Sequence, residues 1–243
     1  MIIVGCGQLG SIFARTWSER EPEDALICTV RRETSRSRLP GLDVRIADLL
    51  EPASLGVLRG ASRVLVSVTG EDAWATGMQN LVQAIDPGTH VVFISSTGVY
   101  AESDGAEVDE EAGLVPGSAL VAGEAALGAV RATILRCSGL MGPDRGPHRV
   151  IDRIAGSSRP DGWLNLVWMD DVAEVILEAF ARPVLGTFNV SGSTVLRSEF
   201  YDPLIAAGGL EPIRWGSGPP GKRVRADRLR TAFDTRLRAV VGN

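Results

Sequence analysis

Short apolar runs alternate with segments of helical periodicity along the first hundred residues of the chain. Five of these runs have the length and composition of buried strands: 2–4, 25–30, 44–46, 64–68 and 90–94. Apolar residues at helical spacing predict helices between them, at about 8–17, 52–58 and 74–85. Strands that alternate with helices in this way predict a parallel sheet covered by helices on both faces, which is a doubly wound α/β fold.

The pattern changes from about residue 114 onward. A predicted helix over 116–130 and a sixth strand over 133–136 are followed by a stretch rich in glycine and proline up to residue 147. Further helices are predicted at 148–155, 171–180, 199–207 and 227–233. We therefore expect a sheet core over residues 1–140 and a small lobe over residues 141–243, interleaved with elements that return to the core.

Gly5, Gly7 and Gly10 follow the first strand with G-x-G-x-x-G spacing, and Gln8 and Leu9 open the first helix. The first glycine allows a tight turn, the second lets a pyrophosphate approach the backbone, and the third lets the helix pack closely on the sheet. The helix N-terminus offers free N–H groups to phosphate. This strand–turn–helix context predicts a dinucleotide site. The alternative is a glycine cluster that serves only turning and packing.

A pair of arginines, Arg31 and Arg32, ends the second strand, about twenty residues after the glycines. At this place an acidic residue binds the ribose 2′-hydroxyl of NAD, whereas arginine accommodates the 2′-phosphate of NADP. Arginine also forms bidentate, charge-assisted hydrogen bonds with phosphate. We therefore expect NADP as the cofactor, with NAD as the second choice. The alternative is that the two arginines bind no cofactor and only face solvent.

Polar residues also follow the other predicted strands. Asp48 comes after the third strand, Thr69 after the fourth and Ser96 after the fifth. Ligands of a parallel sheet bind beyond the carboxyl ends of its strands. We therefore expect these residues to face the same crevice as the glycine turn and Arg31.

Composition narrows the classes of partner. The net charge is −5 and no long basic block occurs, so neither nucleic acid nor an anionic membrane surface is an expected partner. No apolar run approaches the length of a membrane span. The cysteines Cys6, Cys28 and Cys137 lie in or beside apolar runs without metal-ligand spacing. We therefore expect reduced thiols, no metal site and a cytoplasmic location.

The fifth strand runs into the sequence SSTGVY at 95–100. Later segments are VDE at 108–110, ILR at 134–136, GP at 142–143, VWMDDV at 167–172, FNV at 188–190 and GKRV at 221–224. Together with the glycine motif and Asp48, this set resembles the extended short-chain dehydrogenase/reductase superfamily, which includes nucleotide-sugar epimerases and dehydratases. The resemblance covers nearly the whole chain. It implies a Rossmann-type core, a nicotinamide cofactor and a small C-terminal lobe that binds substrate.

The resemblance also implies a catalytic tyrosine and, four residues later, a lysine on the helix after the fifth strand. Aligned from the start of that helix, the two positions hold Leu120 and Glu124. Leucine has no proton to transfer, and a carboxylate would repel a phenolate. The only lysine is Lys222, far along the chain, and the only tyrosines are Tyr100 and Tyr201. The chain therefore resembles atypical members that lack the usual catalytic pair.

Three residues are candidates for the chemistry. Ser96 keeps the position whose hydroxyl, in the resembling family, hydrogen-bonds the substrate oxygen. Glu124 is a candidate acid or base because a buried carboxyl can hold a proton near neutral pH, and Tyr100 is a candidate phenol donor at the rim of the crevice. Their structural alternatives are a turn serine, a solvated helix glutamate and a packed tyrosine. Water as the proton source for a hydride transfer is a further alternative.

The resemblance places substrate contacts at Ser96 and Thr97 and on a loop that closes over the substrate. Arg136, Arg145 and His148 flank that loop, and an arginine cluster favours an anionic substrate. Arginine that replaces lysine over the whole surface is the alternative. The resulting hypothesis is an NADP-dependent oxidoreductase or epimerase-like enzyme for a small polar, anionic metabolite or sugar derivative. A catalytically inactive NADP-binding regulator or scaffold is the alternative function.

The resemblance finally implies a homodimer formed through the helices after the fourth and fifth strands. Apolar residues on these helices either form a four-helix interface or belong to the core of one chain: Trp74, Met78, Leu81, Leu120 and Leu127. Their burial within the folded chain distinguishes the two cases.

Overall fold

A computed structural model describes residues 1–240, in which fourteen strands occur. They are β1 (Ile2–Val4), β2 (Ile27–Val30), β3 (Asp43–Ile46), β4 (Arg63–Val66), β5 (His90–Ser96), β6 (Asp104–Val108), β7 (Arg131–Cys137), β8 (Gly139–Met141), β9 (Ser158–Pro160), β10 (Trp163–Trp168), β11 (Gly186–Val190), β12 (Ser193–Leu196), β13 (Arg214–Gly216) and β14 (Gly221–Val224). Seven of them form one parallel sheet in the order β11-β7-β5-β4-β1-β2-β3.

The same residues form seven α-helices: α1 (Gln8–Arg20), α2 (Glu71–Ala84), α3 (Ala119–Ala126), α4 (Ile151–Ile154), α5 (Met169–Ala181), α6 (Arg197–Ala207) and α7 (Asp227–Ala232). Short 3-10 helices cover Glu33–Arg38, Pro52–Leu58, Thr97–Val99, Leu127–Ala129 and Pro147–Val150. Helices α1 and α5 pack on one face of the central sheet, and α2 and α3 pack on the other. This arrangement confirms the predicted doubly wound α/β fold.

The central strands are apolar along their length because helices cover both faces of the sheet. Val64, Leu65 and Val66 of β4 are fully buried. On one face, Phe13 and Trp17 of α1 contact the ring of Phe180 in α5, with ring centroids about 6 Å apart. The fold can therefore be predicted from the first hundred residues, because strands that are covered on both faces appear in the sequence as continuous apolar runs.

Several predicted elements are shorter in the structure or of another type. The helix predicted over 52–58 is a 3-10 helix that begins at Pro52. The helix predicted over 116–130 begins only at Ala119, because Gly117 has φ +72°, and it gives way to a 3-10 turn at Leu127. The helix predicted over 148–155 consists of a 3-10 turn and the single α-helical turn α4.

Most of the strands that the periodicity did not predict lie in the second half of the chain. Strands β8, β10 and β12 form a separate sheet, which packs with α4 and α6 around its own apolar cluster. Helix α5 and strand β11 return to the central sheet, where β11 pairs with β7. Three-residue strands such as β8 and β9 are too short to show an alternation of apolar and polar positions.

The apolar residues considered for a dimer interface lie inside the single chain. Met78, Leu81, Leu120 and Leu127 are buried in one core cluster, and Trp74 packs partly buried against it. They join α2 to α3 within the protein, so the homodimer stays a prediction without a defined face. No helix among residues 1–240 has both the length and the apolar composition needed to cross a membrane.

His90 begins β5 at its amino end and is 4 % exposed. Its Nε2 lies 2.9 Å from Thr133 Oγ1, and that hydroxyl donates to the carbonyl oxygen of Val184. Nε2 therefore carries the proton, and Nδ1 has no hydrogen-bond partner among residues 1–240. Burial and the charges of Arg131 and Arg63 lower the pKa of His90 to about 4.

We expect acid to destabilise the protein through this histidine. The unfolded chain takes up the His90 proton near pH 6.5, whereas the folded protein does so only near pH 4, so stability is lost as the pH falls between these values. The loss is about 3 kcal/mol of the free energy of unfolding, measurable by urea denaturation. His90→Gln, whose amide can still donate to Thr133, should lose less over the same range. An equal loss in both proteins would contradict this assignment.

Candidate functional site

The glycine-rich turn between β1 and α1 is tightly packed on one side and open on the other. Gly5 has φ +81°, and a Cβ added there would lie 2.7 Å from the carbonyl oxygen of Ser67. A Cβ on Gly10 would lie 3.3 Å from the carbonyl oxygen of Gly5, whereas a Cβ on Gly7 would meet nothing within 4 Å. Gly5 and Gly10 therefore serve the turn and the helix packing, and Gly7 leaves a space that a ligand can enter.

The N-terminus of α1 is suited to an anion. Gly7 is the N-cap, no side chain caps the first turn, and the first turn contains no acidic residue. The first N–H groups of a helix have no partner within the helix, and the helix dipole adds positive potential there. Gln8 and Leu9 therefore present backbone donors beside the open space at Gly7.

A cleft of about 430 Å³ lies beside this turn, at the carboxyl ends of β1, β2, β3 and β4. Its glycine and polar lining comes from the turn, from the strand ends and from the 3-10 helix after β2: Gly5, Gly7, Gln8, Arg31, Arg32, Ser35, Arg38, Asp48, Ser67 and Thr69. Seven of the nine residues predicted to bind the cofactor are in this set. The other two, Leu9 and Gly10, are buried behind the turn. The structure therefore brings the predicted cofactor residues to one place.

The arginines of the cleft are free to meet a ligand. Arg31, Arg32 and Arg38 are exposed, and within residues 1–240 none of them is paired with a carboxylate. Their neighbour Arg36 pairs instead with Glu33 at 3.1 Å. Arg38 and Ser35 were not predicted from the sequence, although the repeated arginines after the second strand were a signal. Positive charge at the end of β2 is therefore not paired with a carboxylate in the part of the chain that the structure describes.

A buried ion pair occupies the other side of the sheet's carboxyl end. The carboxylate of Glu124, on α3, accepts from Arg136 Nη2 at 2.7 Å and from Nε at 3.1 and 3.2 Å. Ser95 Oγ also donates to this carboxylate. Both charged side chains are at most 7 % exposed. A pair this well hydrogen-bonded is a fixed part of the interior.

Tyr100 belongs to the same network. Its hydroxyl donates to Asn189 Oδ1 at 2.6 Å and accepts from Arg136 Nη1 at 3.0 Å. The guanidinium carbon of Arg136 also lies 5.0 Å from the centroid of the ring. Tyr100 is buried, and burial raises its pKa. This direction is opposite to the one that would activate a phenol at neutral pH.

Three predicted site residues therefore lie inside the protein and away from the cleft beside the glycine turn: Tyr100, Glu124 and Arg136. Nη1 of Arg136 also donates to the carbonyl oxygen of Glu110 at 3.2 Å, so four of the five N–H groups of this guanidinium are used inside the protein. Leu120, at the position implied for the catalytic tyrosine, is buried. The catalytic roles proposed for Glu124 and Tyr100 stay predictions, and their contacts favour a structural role.

Ser96 and Thr97 lie at the carboxyl end of β5 and are half-buried. Ser96 Oγ accepts from the backbone N–H of Gly98 at 3.0 Å, which leaves its own proton free to donate. On the loop after β8, Arg145 is exposed, and half-buried His148 lies 3.5 Å from the carbonyl oxygen of Pro143. Ser96, Thr97, Arg145 and His148 are thus open to a ligand, and their substrate roles stay predictions.

Sequence reasoning did not foresee where Lys222 lies. This lysine, on β14, donates from Nζ to the carbonyl oxygens of Tyr100 at 2.5 Å and Thr97 at 3.3 Å. The only lysine of the chain therefore lies against the turn that follows Ser96. The sequence contains one signal of its importance: the only lysine of the chain falls in a segment, GKRV, that resembles the superfamily.

No protein-family profile and no curated protein matches the chain in sequence. Solved structures match it in fold. gox2253 superposes with a TM-score of 0.82 at 21 % identity, over 98 % of this chain and 93 % of its own. A hypothetical dTDP-4-dehydrorhamnose reductase from Sulfolobus tokodaii gives 0.78 at 18 % identity, over 99 % and 97 %. The Bordetella bronchiseptica enzyme WbmH, solved with NAD+, gives 0.76 at 20 % identity, over 95 % and 90 %.

These likenesses confirm the Rossmann-type fold that the resemblance implied. The neighbours include one protein named as a hypothetical reductase and one enzyme solved with NAD+. At these identities the likeness extends to the fold alone. The identity of the cofactor and the chemistry must therefore be argued from the residues of this chain.

We expect the Glu124–Arg136 pair to stabilise the fold. Glu124→Gln keeps the shape of the side chain but leaves Arg136 buried without a counter-charge. The free energy of unfolding, measured by urea denaturation, should fall by about 3–5 kcal/mol. Glu111→Gln is the matched control, because it breaks an exposed pair with Arg228 and should cost about 1 kcal/mol or less. Equal stability of the two variants would contradict the structural role of Glu124.

Proposed function

We propose that the protein is an NADP-dependent oxidoreductase or epimerase-like enzyme that acts on a small polar, anionic metabolite or sugar derivative. The observation that carries the proposal is the cleft beside the glycine turn, which combines a helix N-terminus with three arginines that form no salt bridge in the described part of the chain. WbmH, a neighbour in fold, was solved with NAD+. The fit of the cleft to a dinucleotide is supported by the open space at Gly7.

The pyrophosphate of the cofactor lies at the start of α1 in this proposal. The missing Cβ of Gly7 allows the phosphate oxygens to reach the backbone donors of Gln8 and Leu9. Half-buried Asp48 and exposed Thr69 contribute a carboxylate and a hydroxyl to the lining of the same cleft.

The 2′-phosphate of NADP is bound at the end of β2. Arg31 and Arg32 follow the strand directly, and Arg38 and Ser35 reach the same cleft from the adjacent 3-10 helix. Guanidinium groups bind phosphate through paired, charge-assisted hydrogen bonds. None of the three arginines forms a salt bridge within residues 1–240, and this unpaired positive charge favours NADP over NAD.

The nicotinamide ring supplies hydride transfer when the cofactor is bound. Ser96 donates its free hydroxyl proton to the substrate oxygen, and Thr97 adds a second polar group at the end of β5. Arg145 and His148 contribute to binding of the anionic substrate from the loop after β8. Because Tyr100 and Glu124 are fixed in the buried network, water is the proton donor that these contacts favour.

One observation favours a second function, that of an NADP-binding regulator without turnover. Leu120 stands at the position implied for the catalytic tyrosine, and the side chains of Tyr100 and Glu124 are already hydrogen-bonded inside the protein. A regulator needs the cofactor cleft but not a proton donor beside it. Both the enzyme and the regulator would bind NADP, so only a measurement of turnover distinguishes them.

The choice of cofactor is the first test. NADPH should bind about 10- to 100-fold more tightly than NADH, because a charge-assisted hydrogen bond contributes about 1.5–3 kcal/mol. Arg31→Asp should reverse the order, because its carboxylate repels the 2′-phosphate and accepts from a ribose hydroxyl. Nicotinamide fluorescence titrations give both dissociation constants.

Gly7→Val is the control for this titration. A Cβ added at Gly7 would meet nothing within 4 Å beyond its two chain neighbours, so the variant should fold normally and bind neither cofactor. Equal dissociation constants of the unmodified protein for NADPH and NADH would reject the NADP assignment. Normal binding by Gly7→Val would place the pyrophosphate elsewhere.

Turnover is the second test, with NADPH oxidation followed over a panel of keto acids and sugar nucleotides. With a substrate that turns over, Ser96→Ala should lower kcat/KM by about 10- to 100-fold through the lost hydrogen bond. Tyr100→Phe should reduce stability and leave the rate nearly unchanged. A large rate loss in Tyr100→Phe alone would transfer the acid role to Tyr100. NADPH binding without turnover on any compound would favour the regulator.

A further inference from the structure

Lys222 is held in a defined place at the carboxyl end of the sheet. Strand β14 pairs in parallel with β6, and Asn165 fixes it from the other side. Asn165 Nδ2 donates to the carbonyl oxygen of Lys222 at 2.8 Å, and its Oδ1 accepts from the backbone N–H of Val224 at 2.9 Å. The backbone of Lys222 is therefore anchored on both sides.

The ammonium group is oriented but lacks a counter-charge. Two of its three protons go to the carbonyl oxygens of Tyr100 and Thr97, and Nζ lies 5.8 Å from the centroid of the Tyr100 ring. No carboxylate among residues 1–240 lies within ion-pair distance of Nζ. Burial lowers the pKa of Lys222, and the more distant charge of Glu102 offsets this only in part. The third proton has no acceptor among these residues.

We propose that Lys222 is a substrate-binding residue whose ammonium group binds the anionic group of the substrate, a carboxylate or a phosphate, beside Ser96. The proposal rests on the function proposed above and identifies Lys222 as the cationic side chain that binds the negatively charged group of the substrate. The carbonyl of Thr97, which Lys222 contacts, belongs to the turn that begins directly after Ser96. An anion bound to the third proton would therefore lie close to the hydroxyl that meets the substrate oxygen.

Physical chemistry favours an anion at this place. A cation that is partly removed from water without an ion-pair partner is destabilised, and carbonyl oxygens offset only part of that cost. A carboxylate or phosphate would supply both the missing charge and the missing acceptor. The compact ammonium group carries three donors, so it can keep its two carbonyl contacts while it binds the anion.

The chain offers an unusually direct test, because it contains a single lysine. Protein made with lysine labelled with ¹³C at Cε gives one side-chain signal, and that signal is Lys222. We would follow it while adding pyruvate, inorganic phosphate or UDP-glucose, each with and without saturating NADPH. Glucose and sodium chloride at matched concentration are the controls.

The expected result is a saturable shift of the signal with at least one of the anions and none with glucose. Pyruvate alone would identify a carboxylate site, whereas phosphate or UDP-glucose would identify a phosphate site. The proposal would be overturned if the anions shifted the Lys222 signal no more than sodium chloride does, in protein whose fluorescence shows that NADPH is bound. The cofactor assignment would then remain intact. A shift produced by NADPH alone, with no further change on adding any anion, would also overturn it, because Lys222 would then contact the cofactor.

A variant pair extends the test to turnover. Lys222→Met should raise KM for the anionic substrate about 10- to 100-fold, the equivalent of one charge-assisted hydrogen bond, with NADPH affinity unchanged. Arg223→Met is the matched control, since Arg223 donates to the carbonyl oxygen of Gly105 and lies over the ring of Trp163. Equal KM values for the two variants would contradict the proposal. The titration of the unmodified protein remains decisive if Lys222→Met does not fold.

Discussion

The buried ion pair between Arg136 and Glu124 holds together the elements that meet at the carboxyl end of the sheet. It joins β7 to α3, and through Tyr100 it reaches Asn189 of β11. Asn189 in turn donates to the carbonyl oxygen of Arg225, one residue beyond the strand that carries Lys222. Because neither charge can stay buried without its partner except at a large desolvation cost, the turn after β5 and the returning strands depend on this pair.

This constraint divides the carboxyl end of the sheet into two regions. Toward β1 and β2, the open space at Gly7 and the unpaired arginines form a surface ready for a phosphorylated ligand. Toward β5 and β7, the candidate acids Tyr100 and Glu124 are both hydrogen-bonded to Arg136 inside the protein. The partly accessible polar groups there include the hydroxyls of Ser96 and Thr97 and the ammonium group of Lys222. A hydride transfer in this site would depend on binding and orientation more than on a protein acid.

The sequence predicts the sheet core well, since strands buried on both faces are continuous apolar runs and the glycine turn has a local signature. It predicts less of the lobe, because a strand of three or four residues is too short to show an alternation of apolar and polar residues. The position of Lys222 is set by a contact with Tyr100 across 122 residues, which no local pattern reveals. Glu124 illustrates a second limit. Helical spacing shows which face of α3 it occupies, but its partner Arg136 is found only once β7 lies beside β5.

A crystal structure of the protein with NADPH would test the central claim most directly, which is that the cleft beside the glycine turn binds this cofactor. The account predicts the pyrophosphate on the backbone N–H groups of Gln8 and Leu9 and the 2′-phosphate among Arg31, Arg32 and Arg38. It also predicts that Glu124 remains paired with Arg136. A pyrophosphate bound away from the turn, or a 2′-phosphate without an arginine contact, would contradict it.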